Sequence, residues 1–243
     1  VIINRFNHKT PGTTHGHHTS SAMLSVEAFD LAGDNSKFKK QLQHTETWTP
    51  KRIFYNTSSW FYRDKSKFAE VAKDFMKFDI GLYYPLKGLS NNELASMASS
   101  QHLCQGFGRV TTRGSQTEYL EFIKGEEPKD KNDLFSGINT TWNRLEGGGE
   151  IGAILYTVEQ NFDFVNPSKH LPQLLEAYQK IQQLEDKHWS GIKEKQILEI
   201  IKAAAGLYLE ASAVSSSGTP NSSIDVNFEV LNRSNANIEL HSI

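Results

Sequence analysis

Thr14-His15-Gly16-His17-His18-Thr19 is the stretch on which the reading of this chain turns. Of nine histidines, four (His8, His15, His17 and His18) fall within the first eighteen residues, a density that invites a chemical explanation. Upstream, Val1-Ile2-Ile3 is a short continuous apolar run of the kind that makes a parallel strand buried on both faces. A loop rich in Gly, Pro and Thr follows over residues 4–14. Downstream, Thr19-Ser20-Ser21 offers N-caps for the periodic run Ala22, Met23, Val26, Phe29, which Gly33 closes. The histidines therefore sit between a strand and a helix. In open α/β sheets, loops at the carboxyl ends of strands are where ligands bind. His15 and His18 are three apart, so one turn of helix can bring both rings to one side. Neutral imidazole is a common zinc ligand, which sets a metal or catalytic role against a merely solvated loop.

Composition limits the function classes. Charged residues are 22% and hydrophobic residues 37% of the 243, which is globular rather than disordered. A formal net charge of −2, without a Lys/Arg cluster, gives no footprint for nucleic acid. The longest apolar run, residues 197–214, is interrupted by Glu199, Lys202 and Glu210, so no transmembrane segment is expected. Cys104 is the single cysteine, which excludes an internal disulfide and a multi-thiolate metal site. The compartment and the oligomeric state stay open. Val1 stands inside an apparent strand and the last strand pattern ends abruptly. The chain is therefore expected to be part of a longer protein, in which any signal peptide would precede Val1.

Further along, Lys51-Arg52-Ile53-Phe54-Tyr55-Asn56 reads as a strand entered through Pro50. The aromatic cluster Trp60-Phe61-Tyr62 then serves either as one wall of a substrate cleft or as core, and aromatics beside a strand are more often core. Residues 67–75 suggest a short helix, and residues 78–84 the next strand. Ser90-Asn91-Asn92-Glu93 is a capping box opening a helix. On that helix Leu94, Met97, Ala98 and Gln105 bracket one face with Gln101 at its centre, which predicts a buried, hydrogen-bonded Gln101 supporting the site. Residues 106–114 form a Gly- and Arg-bearing loop without a Walker lysine, in which Arg109 and Arg113 either meet an anionic group or are solvated. Three helical faces follow: Ile151, Ile154, Leu155, Val158, Phe162; Leu171, Leu174, Leu175, Tyr178, Ile181; and Ile197, Ile200, Ile201, Ala204, Tyr208. Residues 215–223 look like a linker. Alternation over residues 224–230 predicts a strand that pairs, through a turn at 232–237, with 238–240.

His15-Gly16-His17-His18, set between a strand and a helix, resembles the second metal motif of the PIG-L/LmbE-like zinc deacetylases, usually written H-P-D-H or H-x-x-H. Asp79-Ile80 and the later Ser100-Gln101 are similar to other recurrent elements of that family. Asn4-Arg5-Phe6 and Gln101-His102-Leu103-Cys104-Gln105-Gly106-Phe107-Gly108 resemble a large bacterial subgroup with a helical region and a β-sandwich tail. The resemblance covers essentially the whole chain. It implies an α/β, Rossmann-like catalytic domain, whose C-terminal part would occupy residues 1–125. A helical region over 126–214, then a linker and the start of an all-β domain over 215–243, would follow.

The resemblance also implies chemistry. His18 would be a ligand to Zn2+, and His15 the imidazole that stabilises the oxyanion or protonates the leaving amine. His17 would stand where many members carry an Asp that orients that imidazole, so the carboxylate–histidine pairing is altered here. The substrate would be a small molecule or glycan bearing an N-acetylated amino sugar. The first family motif, H-P-D-D-E, supplies two further ligands and the general base; the sequence does not contain it, and it is expected upstream of Val1. Two other readings compete. One is a non-catalytic carbohydrate-binding or assembly protein on the same fold, and the other a metallohydrolase of a different bond, such as a phosphoester.

Overall fold

A computed structural model describes residues 1–10, 14–105 and 111–242. The loop segment 106–110, with Arg109, lies outside the described residues, as do residues 11–13. The chain divides into two compact units, Val1–Ile138 and Asn139–Ile243.

The first unit is α/β, built on a four-stranded mixed sheet. Strands β1 (Ile2–Asn4) and β2 (Arg52–Thr57) run parallel, joined through helix α1 (Gly16–Leu31). After β2 come α2 (Lys65–Val71), β3 (Met76–Asp79), a two-stranded ribbon of β4 (Tyr83–Tyr84) and β5 (Leu89–Ser90), α3 (Asn91–Ser99) and β6 (Thr117–Gly125). The sheet order is β1-β2-β6-β3, with β6 inserted antiparallel to both of its neighbours. The first two strands fall where the sequence places them, but β1 is not buried on both faces, since Ile3 is exposed. The sheet is mixed, not the parallel one that a Rossmann-like domain implies, because β6 is a strand that the pattern does not mark.

Register sets the two faces of this sheet. Phe54 pairs with Phe122 and Met76 with Leu120, so their side chains share a face and form a core of Phe54, Met76 and Leu120. Tyr55 pairs with Glu121 and Thr57 with Tyr119, placing these four on the opposite face. At the end of β6, Gly125 takes a φ of 102° against the start of β2, where a Cβ would collide with the Lys51 carbonyl oxygen. Buried Arg52 reaches across to the carbonyl oxygens of Leu134 (3.3 Å) and Ser136 (2.7 Å), tying the end of the unit to β2.

The capping box at α3 forms as the sequence indicates. Ser90 Oγ accepts the Glu93 N–H at 3.3 Å, and Glu93 Oε2 accepts the Ser90 N–H at 2.9 Å. Yet the helix stops at Ser99, where Ser99 and Ser100 turn their hydroxyls back onto the Ser96 carbonyl. Gln101 lies past that end and is exposed, so the expectation of a buried strut is corrected. Gln101→Leu should accordingly change stability by no more than about 0.5 kcal/mol in urea denaturation, rather than by the larger cost of an orphaned buried amide.

In the second unit, helices α4 (Gly148–Gln160), α5 (Leu171–Gln182) and α6 (Lys187–Ala204) fall on the three apolar runs, but Phe162 lies past the end of α4, and Leu175 and Ile200 are exposed rather than part of the buried faces. They close around Ile151, Ala177, Ile181, Leu184 and Ile197, with a second cluster of Val158, Leu171, Leu174, Ala204 and Ala205. Tyr208 is not on α6: it belongs to β7 (Leu207–Ala213), which pairs antiparallel with β8 (Val226–Asn232). Residues 215–223 are thus the hairpin connection, and the pairing of 224–230 with 238–240 is replaced by this one.

Candidate metal centre

Helix α1 starts earlier than its serines suggest. His15 is the N-cap, in extended conformation (φ −64°, ψ 149°), and its carbonyl accepts the N–H groups of His18 (3.0 Å) and Thr19 (3.3 Å). Thr19, Ser20 and Ser21 are therefore inside the helix, and His17 and His18 occupy its first turn. The helix is seated through Thr19 and Ala22, both buried, with Val26 and Phe29 half-buried on the same side, while Met23 is exposed. Asn4, at the end of β1, donates its side-chain N–H to the Ala22 carbonyl (3.4 Å) and so fixes the strand against the helix that carries the histidines.

That geometry gathers the three imidazoles. Ring centroids are 5.4 Å apart for His15 and His18, 5.6 Å for His15 and His17, and 4.1 Å for His17 and His18. One ring nitrogen from each lies within 4.8 Å of the others. Zinc–nitrogen bonds of about 2.0–2.1 Å in a tetrahedral site set ligand nitrogens roughly 3.3 Å apart, so the three would have to close by side-chain rotation to share one ion. His15 and His17 are exposed and His18 is half-buried. The Phe6 ring stacks on His18 at 3.9 Å with the planes only 5° apart, which holds that imidazole in orientation. Desolvation lowers the His18 pKa below the usual value, and the neighbouring His17 and His15 add to the effect. That direction favours the neutral imidazole, the form that binds metal. On donor type and spacing, the three imidazoles could hold a metal ion.

The other candidates fall elsewhere. Asp79 is a turn residue: its carboxylate accepts the N–H groups of Gly81 (2.8 Å) and Gln116 (2.9 Å). Arg113 is paired with the capping Glu93 (2.9 Å). Phe61 and Tyr62 line a cavity of about 430 Å3, together with Asn7, Thr10, Tyr55 and Asp64. The imidazoles are not among its walls, so the histidines and this hollow are separate features of the same sheet edge. Sequence reasoning missed Phe6 as the support of His18, and Tyr55 and Thr57 as one polar face. The second was available in principle, because the two alternate along β2.

No helix among the described residues is long and apolar enough to cross a membrane. Comparison with protein-family models, curated proteins and solved structures found no match to the chain.

Proposed function

We propose that this chain belongs to a zinc-dependent amide hydrolase, an N-deacetylase of the PIG-L/LmbE-like kind acting on an N-acetylated amino sugar or glycoconjugate. The observation that carries the reading is the convergence of three imidazole nitrogens on the first turn of a helix that follows a strand of a parallel pair. A strand–helix–strand start with parallel β1 and β2 supports a Rossmann-like domain, and the antiparallel β6 is a departure from that plan.

His18 is the residue proposed to hold the metal, since it is the most enclosed of the three and has its ring plane fixed by Phe6. Zinc, when bound, supplies a Lewis acid that polarises an amide carbonyl and acidifies water. His15, exposed at the N-cap, is free to rotate toward a substrate and to donate a proton to the oxygen or the leaving amine. His17 lies beside both rings; in this reading it stands where a carboxylate would orient His15, and as an imidazole it contributes no negative charge to that partner. The base and two further ligands belong, in this reading, to the H-P-D-D-E motif, which the 243 residues do not contain. The chain by itself is therefore expected to bind metal without turnover.

The test uses the full-length protein. Acetate release from an N-acetylglucosamine conjugate should vanish on chelation and return with added zinc. Release that persists in chelator, or zinc-loaded protein that cleaves only a phosphoester, overturns the reading.

A further inference from the structure

The cavity at the carboxyl ends of β1 and β2 has a composition of its own. It is reached by the loop after β1: Phe6 stacks on His18, and the next residue, Asn7, lines the cavity. The hollow therefore adjoins the candidate metal centre along the chain, at the edge of a parallel pair where α/β sheets receive ligands. Its volume of about 430 Å3 is in the range of small-molecule pockets.

Three of its walls are the rings of Tyr55, Phe61 and Tyr62. Tyr55 and Phe61 are themselves in edge contact, with centroids 5.8 Å apart, so this aromatic corner is pre-formed. Burial, the largest influence on both phenols, raises their pKa and keeps them protonated as hydrogen-bond donors. Thr57 lies beside both tyrosines. It is fully buried, and its hydroxyl lies against the two phenols.

Charge at the mouth is one-sided. Arg63 and Lys67 line the cavity, are exposed, and form no ion pair among the described residues. The one acidic residue of the lining, Asp64, already accepts the N–H groups of Ser66 (2.8 Å) and Lys67 (3.4 Å) as the cap of α2. Glu121, opposite Tyr55 in the sheet, has its carboxyl pushed up by burial, which lessens its repulsion of an anion.

We propose that this cavity binds a small ring compound bearing a carboxylate or phosphate, with its ring against Tyr55, Phe61 and Tyr62 and its anion at Arg63 and Lys67. The proposal takes the metal centre as a neighbour but requires no metal, which makes the two separately testable.

The experiment is calorimetry on the metal-free 243-residue chain with four probes: phenyl phosphate, benzoate, benzyl alcohol and inorganic phosphate. Saturable binding of phenyl phosphate or benzoate in the millimolar range or tighter is expected, with benzyl alcohol and inorganic phosphate at least about tenfold weaker. The relative strength of the first two identifies which anion the site prefers. Arg63→Gln with Lys67→Gln should weaken anion binding about tenfold or more. Both side chains are exposed, so the substitution leaves folding intact. Tyr62→Ala should weaken every ring probe, and Tyr62→Phe should restore the ring contribution. Combined alanine substitution of His15, His17 and His18 should leave probe binding unchanged. Equal binding of benzyl alcohol and phenyl phosphate, or no effect of the double Gln substitution, overturns the proposal. Binding lost with the histidines but indifferent to Arg63 and Lys67 also overturns it, while leaving the metal reading intact. Retained probe binding in the unsubstituted chain, if that chain takes up no zinc, overturns the metal reading instead.

Discussion

His18→Ala is expected to lower the zinc affinity of the chain by roughly 10²-fold or more, because it removes the imidazole that Phe6 holds in place. Changes to groups that merely support a ligand cost about 10–100-fold in affinity, and loss of a ligand should exceed them. His15→Ala separates binding from chemistry. In the full-length protein it should keep zinc while depressing turnover by about 10²–10³-fold, the range for removing one donor that acts in the transition state. Zinc content and acetate release measured side by side on both variants decide the matter. If His15→Ala loses its metal and His18→Ala keeps it, the two roles are exchanged. If each loses metal equally, the three imidazoles share the ion and the oxyanion role of His15 falls. Because the pKa of His18 is lowered, its neutral form persists to lower pH than an ordinary imidazole. Zinc binding should accordingly weaken only as acid protonates it, below the usual histidine range.

The second large effect lies in the sheet. Phe54 is fully buried, between Met76 and Leu120, which are 4% and 6% exposed. Phe54→Ala leaves a cavity that neighbours held by strand pairing cannot readily fill, and such truncations cost about 3–5 kcal/mol. Domain stabilities are about 5–15 kcal/mol, so the variant should show a sharply lowered urea midpoint, or no cooperative transition at all at 37 °C. Leu24→Ala, on an exposed part of α1 with Leu24 64% accessible, is the matched control. It should stay within about 0.5 kcal/mol. A Phe54→Ala loss as small as the control's would mean that β2 is not central to the core.

Much of this fold is written in short-range pattern. The apolar starts of β1 and β2, the Ser90/Glu93 box and the three faces of α4, α5 and α6 all emerge from spacing alone. What failed did so for local reasons. Strand β6 carries Glu118, Glu121 and Lys124 among its apolar residues, and the polar groups have structural work: Glu118 accepts the Asn56 side-chain N–H at 2.6 Å. Alternation is therefore blurred on a strand used on both faces. Tyr208 continues the apolar stripe of α6, which hides the start of β7. Gly206, at a φ of 60° just past the Ala205 cap, was the signal that the helix ends there. For Gln101 the apolar periodicity runs on past the serines that terminate the helix. The histidine cluster was legible as a motif, whereas the Phe6 stack and the Tyr55/Thr57 face depend on loops and register that one-dimensional spacing does not encode.

The position of β6 between β2 and β3 bears on how the protein is made. Strand β2 ends at Thr57, and the strand that covers its second edge begins only at Thr117. During synthesis, Ile53, Phe54 and Tyr55 leave the ribosome long before their partners Lys124, Phe122 and Glu121 exist. For that interval the nascent chain presents an apolar edge to the cell, open to mispairing and to chaperones. The helices of the second unit meet neighbours close in sequence and need no such wait. Slow, aggregation-sensitive acquisition of structure should therefore be concentrated in the first 125 residues, the same ones that carry the imidazoles.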